Sequence, residues 1–205
     1  MATTNMEGHR QTQLEAYIPN VWRGRRFLYV GASVDQFELK YGLLLAYDFY
    51  NAQVDVMEID LDRATELMHK EQWLRKVITE DVSNIHMGLI DNTYDATLWV
   101  NGPGILEPAK IDSALQKLEP ISHLVVLINP WGNYPYRNGE DELLNPLDVY
   151  RTPLTPQFFL RRGYAVHLIG EPDTKGGNLL AWKRPLVEPL PWRRSPCPEE
   201  DLPQR

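Results

Sequence analysis

Between residues 27 and 183, short apolar runs alternate with longer stretches that are typical of helices. The run at residues 27–30 is compact and β-prone, and the stretch at residues 35–50 is apolar on nearly all sides, as a buried helix would be. A second strand-like run covers residues 54–59, and residues 62–71 follow it with their apolar side chains on one helical face. This repeated unit of strand and helix predicts a doubly wound α/β domain.

The second half of the chain continues the pattern and then changes it. Further strands are predicted at residues 76–79, 97–100, 124–128, 164–169 and 179–183, and further helices around Ile111, Leu115 and Leu118 and at residues 156–161. The run 124–128 lacks polar alternation, which suits a strand covered on both faces of a parallel sheet. Proline, glycine and asparagine between the last two runs indicate a hairpin-like turn, so that these two strands pair antiparallel. The predicted fold is therefore Rossmann-like: a doubly wound, mostly parallel sheet with an antiparallel strand pair near its C-terminal end.

The chain of 205 residues has the size of one domain with extensions at its ends. Residues 1–12 are polar without a hydrophobic period, which predicts a flexible lead. Residues 185–205 contain six prolines, a density that opposes both helix and central strand, so an extended tail is predicted there. Residues 13–184 are left as a single α/β domain.

Composition excludes several classes of function. The chain has 28 acidic and 21 basic side chains, a formal charge of −7, so general attraction to nucleic acid or to an anionic membrane is disfavoured. Its single cysteine allows no internal disulfide, and its five histidines show no metal-ligand spacing, so no metal site is predicted. No apolar run approaches the ~20 residues that cross a bilayer, and a cytoplasmic location is expected.

Three positions after successive strands could contact a nucleotide-like ligand. The turn Gly31-Ala32-Ser33 carries few side-chain atoms, so its backbone amides could approach a ligand at a helix N-terminus. Glu58 lies near the end of the second strand, where an acid commonly accepts hydrogen bonds from ribose hydroxyls. Asp81 follows the third strand and could accept a hydrogen bond from an adenine amino group. The alternative for Glu58 is a surface carboxylate without a ligand, and the alternative for Asp81 is helix capping or solvation.

These positions carry a resemblance to a known family. The segments at residues 27–31, 56–60, 79–82 and 94–98 are similar to the successive motifs of class I S-adenosylmethionine-dependent methyltransferases. Residues 154–159, 163–164 and 177–183 resemble the final helix and the antiparallel strand pair of small bacterial methyltransferase-domain proteins. The resemblance covers most of the chain, although each motif is short.

The resemblance implies S-adenosylmethionine as cofactor. In this family the glycine turn contacts the methionine part, the acid after the second strand holds the ribose, and the aspartate after the third strand contacts adenine. The positions of this sequence that match these roles, with their neighbours, are Gly31, Ala32, Ser33, Glu58, Ile59, Asp81, Val82 and, after the fourth strand, Asn101.

The first motif departs from the family pattern. An acid and two further glycines are usual where this chain has Tyr29, Ser33 and Asp35, and Pro108 stands where many relatives have a histidine, so no general base is expected there. A catalytically silent binding or scaffold protein therefore stays open as an alternative. A dinucleotide-binding oxidoreductase is a weaker alternative, because the chain lacks the Gly-x-Gly-x-x-Gly turn that approaches a pyrophosphate.

The acceptor of the methyl group is expected to be a small molecule. Asn129, Trp131 and Tyr134 follow the fifth strand and supply amide and aromatic groups, as a small-molecule pocket requires. Packing of the two aromatic rings against the next loop is the alternative role. A homodimer is compatible with the sequence, which does not define an oligomeric state.

Overall fold

A single mixed sheet organises the structure, a computed structural model that describes residues 14–35, 37–90, 93–132, 150–172, 174 and 177–185. Its strands are β1 (Arg26–Val30), β2 (Gln53–Glu58), β3 (Lys76–Thr79), β4 (Ala96–Val100), β5 (Val125–Pro130), β6 (Ala165–Ile169) and β7 (Asn178–Lys183). Their order across the sheet is β3-β2-β1-β4-β5-β7-β6. The first five strands are parallel, and β7 pairs antiparallel with both β5 and β6.

Helices cover both faces of this sheet. Among the helices of the described residues are α1 (Lys40–Tyr50), α2 (Leu61–Lys70), α3 (Pro108–Leu118) and the short α4 (Pro156–Leu160). Alternate residues of β1 enter two different cores: Phe27 and Tyr29 pack with the buried residues of α1 and α2, whereas Leu28 and Val30 pack with those of α3. Burial on both faces explains why the central strands lack polar alternation. The predicted doubly wound fold with its antiparallel C-terminal strands is confirmed.

The first helix differs from its prediction in two ways. It begins at Lys40 rather than at residue 35, because Phe37 and Leu39 are both buried in the core and Leu39 adopts a left-handed φ of 65°. Only one stripe of the helix is buried, whereas burial on nearly all sides was predicted. The opposite stripe is exposed, with Tyr41 at 60% and Phe49 at 76% of their full accessibility.

The second helix shows a smaller difference. Ala64 and Leu67 are fully buried as predicted, but Met68, assigned to the same face, is half exposed. Asp60 begins this helix by accepting hydrogen bonds from the backbone amides of Asp62 and Arg63 at 2.9 and 3.1 Å. The helix start is thus fixed directly after the end of β2.

The predicted lead at residues 1–12 and almost all of the predicted tail at residues 185–205 lie outside the described residues. Among the helices of the described part, none is long and apolar enough to span a membrane.

Candidate functional site

A cleft opens at the carboxyl ends of β3, β2, β1 and β4, which are neighbours in the sheet. It encloses about 790 Å³ when the solvent at its mouth is included. Parallel sheets of this type bind ligands at this edge. All eight residues assigned to the cofactor from sequence lie in its wall: Gly31, Ala32, Ser33, Glu58, Ile59, Asp81, Val82 and Asn101.

The turn after β1 needs its first glycine. Gly31 has a φ of +74°, a conformation that side chains disfavour, and its amide donates to the Met57 carbonyl at 2.8 Å. Ser33 is half-buried and lines the cleft, whereas Asp35 is exposed and does not. Of the two residues that replace family glycines, only Ser33 therefore contributes to the wall. The turn does not lead directly into a helix, contrary to prediction, because α1 begins only at Lys40.

Glu58 is a buried carboxyl group in the floor of the cleft, only 4% exposed. Its Oε1 accepts a hydrogen bond from the Asp60 amide at 2.9 Å. Burial raises its pKa above the usual range, and the Asp60 hydrogen bond and the nearby Arg63 guanidinium only partly oppose this effect. The carboxyl group would therefore gain from a ligand that donates hydrogen bonds to its ionised form.

Asp81 lies in the cleft wall beyond β3. Its Oδ1 accepts from the amide and the hydroxyl of Ser83 at 2.8 and 2.7 Å, which fixes the turn at Val82–Asn84. Its Oδ2 lies 3.9 Å from Lys110 Nζ. Capping of this turn, the alternative role weighed from sequence, is thus observed, and the second carboxylate oxygen takes no part in it.

Asn101 forms the end of the cleft beyond β4, in a left-handed conformation with a φ of 60°. Its Nδ2 donates to Glu38 Oε1 at 2.8 Å, and its Oδ1 is buried without a hydrogen-bond partner. The next residue, Gly102, lies against the ring of Trp99, since a Cβ there would come within 1.7 Å of the indole nitrogen. The close approach of backbone and indole shapes this part of the wall.

Two of the predicted acceptor residues, Asn129 and Trp131, are among the described residues, and neither lies in the wall of the cleft. Asn129 is fully buried; its Oδ1 accepts from the Gly104 amide at 3.0 Å and its Nδ2 donates to the Pro130 carbonyl at 2.7 Å. The side chain thereby supports the loop that carries Ile105 and Leu106, two residues of the cleft wall. A direct contact of Asn129 with an acceptor stays a prediction.

Trp131 is half-buried and packs against the core on the α3 side of the sheet, with its indole nitrogen buried and without a partner. The alternative weighed from sequence, packing against the loop at residues 137–150, lies almost wholly outside the described residues, and an acceptor contact of Trp131 stays a prediction. Tyr134 lies outside the described residues.

Sequence reasoning missed several residues of the cleft wall, among them Glu38, Arg63, Glu80 and Trp99. Glu38 lies between buried Phe37 and Leu39 in the turn that precedes α1, and the assignment of residues 35–50 to a helix gave no reason to place it in the cleft. Trp99 could not be singled out, because an aromatic residue within an apolar strand is typical of core.

The charges of the cleft are unbalanced. Its described wall contains four carboxylates, Glu38, Glu58, Glu80 and Asp81, against one guanidinium, Arg63. In the part of the chain that the structure describes, no three His, Cys, Asp or Glu side chains are grouped to hold a metal ion. The cleft therefore suits a cationic ligand with hydrogen-bond donors better than a phosphorylated one.

Comparison with known proteins rests on structure, since neither a family model nor a curated protein matches the chain. One similar structure is CalS10, an amino pentose methyltransferase from Micromonospora echinaspora with S-adenosylmethionine bound; identity is 14%, coverage 87% of this chain and 90% of that one, and the TM-score 0.58. Another is the magnesium protoporphyrin IX methyltransferase of Synechocystis PCC 6803, also with S-adenosylmethionine bound, at 13% identity, 87% and 77% coverage and a TM-score of 0.56.

A third similar structure is the N-terminal domain of EvdMO1 with S-adenosylhomocysteine and D-fucose, at 13% identity, 87% and 82% coverage and a TM-score of 0.59. The sheet order, the antiparallel final strands and these similarities agree with one another. The chain has the fold of the class I S-adenosylmethionine-dependent methyltransferases.

Proposed function

We propose that the chain binds S-adenosylmethionine and transfers its methyl group to a small-molecule acceptor. The observation that carries the proposal is the convergence of the Gly31 turn, Glu58 and Asp81 in one cleft whose wall has an excess of carboxylates. A buried carboxylate at Glu58 suits the two hydroxyls of a ribose, and Asp81 Oδ2, the oxygen that does not cap the turn, suits an adenine amino group. The similar structures with S-adenosylmethionine bound support the same ligand.

The charge of the cleft separates this proposal from a dinucleotide-binding oxidoreductase. S-adenosylmethionine carries a sulfonium and an ammonium against one carboxylate, whereas the pyrophosphate of NAD is anionic. Four carboxylates against one guanidinium attract the first and repel the second. The turn at Gly31 also lacks a helix N-terminus that would hold phosphate, because α1 begins nine residues later, at Lys40.

The bound cofactor would supply an electrophilic methyl group on its sulfonium sulfur. The chain's own contribution is then to orient the ligand and to exclude water, which Trp99, Ile105 and Leu106 favour by the apolar surface they add to the wall. No side chain has to act as a nucleophile.

The acceptor proposed here is small. The similar proteins named for an amino pentose and for a magnesium porphyrin act on small molecules. The net charge of −7 also opposes a nucleic-acid acceptor. We place the acceptor beside the loops that follow β4 and β5, with Trp131 as the residue to test.

The test is calorimetric titration of the protein with S-adenosylmethionine, S-adenosylhomocysteine and NAD in parallel. The first two are expected to bind and NAD is not. Glu58→Ala removes a charged acceptor and should weaken S-adenosylmethionine binding by about tenfold to a hundredfold. Folded protein without heat at high micromolar S-adenosylmethionine would contradict the proposal and favour a silent scaffold protein.

The acceptor side needs a separate measurement. If Trp131 lines the acceptor site, Trp131→Ala should keep the melting temperature and the cofactor affinity but lose methyl transfer to a small-molecule acceptor. Loss of stability alone, or full retention of transfer, would remove Trp131 from the site.

A further inference from the structure

The cleft residues lie in a row that follows the sheet. Asp81 comes after β3, Glu58 ends β2, Gly31 follows β1 and Asn101 follows β4, and these strands are successive neighbours. With neighbouring strands about 4.8 Å apart, the row spans about 14 Å. It therefore has room for a ligand made of several linked groups, each over a different strand end.

The proposed function, on which this inference rests, fixes the direction of such a ligand. Adenosine over Asp81 and Glu58 directs the remaining amino-acid group towards Gly31 and Asn101. At neutral pH that group carries an ammonium, which has three hydrogen-bond donors and no acceptor. The β4 end of the cleft must therefore supply acceptors, preferably with a negative charge.

The first strand does not supply a carboxylate. Its residues are Arg26, Phe27, Leu28, Tyr29 and Val30, and the Tyr29 ring, which lines the cleft, is 1% exposed and packs against Phe37 with 4.7 Å between ring centroids. The acceptor for an ammonium has to come from another segment.

Glu38 brings a carboxylate to this place. Its neighbours Phe37 and Leu39 are buried in the core, while Glu38, in the turn that precedes α1, lies in the cleft wall. Its Oε1 accepts from Asn101 Nδ2 at 2.8 Å, which joins it to the β4 end of the row. Glu38 is thus the carboxylate farthest along the row from Asp81.

A second acceptor lies beside it. Asn101 Oδ1 is buried and has no hydrogen-bond partner, an unfavourable state that a donor from a ligand would relieve. Glu38 and Asn101 together thus present a carboxylate and an amide oxygen, the two acceptor types that suit an ammonium.

We propose that Glu38, held by Asn101, accepts hydrogen bonds from the ammonium of the methionine part of the ligand, for which β1 offers no carboxylate. The contact contributes affinity for the amino-acid group alone and none for the adenosine part.

The test compares two thioether ligands, S-adenosylhomocysteine and 5′-methylthioadenosine, which share the adenosine and differ in the amino-acid group. Glu38→Gln keeps an oxygen for Asn101 Nδ2 but loses the charge. By calorimetry it should bind S-adenosylhomocysteine about tenfold more weakly or worse, and 5′-methylthioadenosine within about twofold of wild type. Glu80→Gln, which removes one carboxylate from the β3 side of the same cleft, is the control and should leave the ratio of the two affinities unchanged.

The outcomes separate the two proposals. Unchanged or improved S-adenosylhomocysteine binding by folded Glu38→Gln protein, or equal weakening of both ligands, overturns the role of Glu38 and leaves the proposed function standing. Absence of binding of S-adenosylmethionine and both thioethers by the wild-type protein overturns both.

Discussion

Glu58 combines burial with a negative charge, and the two have opposite consequences for stability and binding. Burial raises its pKa, so the ionised form is unfavourable in the folded protein at neutral pH. A carboxyl group whose pKa is raised by folding stabilises the fold only at low pH and loses that contribution as the pH rises through the raised value. The ionised form of Glu58 is therefore stabilised better by a ligand that donates hydrogen bonds to it than by the ligand-free fold.

We expect Glu58→Gln to raise the melting temperature of the ligand-free protein at neutral pH, because the neutral amide avoids the buried charge and keeps an acceptor for the Asp60 amide. The gain should disappear below the usual glutamate pKa, where the wild-type side chain is neutral as well. Thermal scans over a pH series measure both effects, with Glu80→Gln as the control, since the Glu80 side chain is 25% exposed. A lower melting temperature for Glu58→Gln at neutral pH would show that the carboxylate stabilises the fold.

The same carboxyl group predicts a pH dependence of binding. Because the ionised form accepts the ribose hydroxyls, affinity for S-adenosylmethionine should fall as the pH falls through the raised pKa of Glu58, by up to about tenfold per pH unit. Titrations from neutral pH downwards, over the range in which the protein stays folded, test this. Glu58→Gln should bind more weakly with a flat profile, and a wild-type profile without slope would exclude Glu58 as the group that ionises on binding.

At the scale of the element, the loop after β4 determines the shape of the cleft end. Gly102→Ala would bring a Cβ within 1.7 Å of the Trp99 indole nitrogen, and Trp99 is buried within the strand. We expect the free energy of unfolding in urea to fall by about 1–3 kcal/mol, as for other overpacked sites, and the binding of S-adenosylmethionine to weaken. Gly88→Ala is the control, because a Cβ at that exposed glycine meets nothing within 4 Å. Equal stability of the two variants would show that Trp99 moves aside without cost.

The elements also show what the sequence could predict. Both ends of β3 were predicted correctly, and the ends of the other strands to within two residues. A short apolar run between polar residues has one favourable position in a sheet that helices cover on both faces. The start of α1 could not be predicted from helix-permissive composition. Burial of Phe37 and Leu39 against residues distant in sequence overrides local preference there, and that same burial brings Glu38 to the cleft.

At the scale of the molecule, the cleft exists only in the folded chain. Gly31, Glu58, Asp81 and Asn101 are separated by 20 or more residues and meet only through the order of the strands. The rule that parallel strands end at one edge was enough to group them from sequence. Residues whose position depends on loop packing, such as Asn129 in its contact with the Gly104 amide, could not be placed in this way.

Because unfolding separates these residues, S-adenosylmethionine should bind the folded chain alone and stabilise it as a whole. At a hundred times Kd the gain is about 2.7 kcal/mol, which for a domain of this size raises the melting temperature by about 5–10 °C. NAD at the same concentration should give no shift, since the carboxylates of the cleft repel its pyrophosphate. Glu58→Ala, with affinity lowered by about tenfold to a hundredfold, should show at most about half of the wild-type shift at the same ligand concentration. A shift of equal size with NAD would instead indicate a site that recognises only the adenosine shared by the two ligands. The charge of the cleft would then make no contribution to its selectivity.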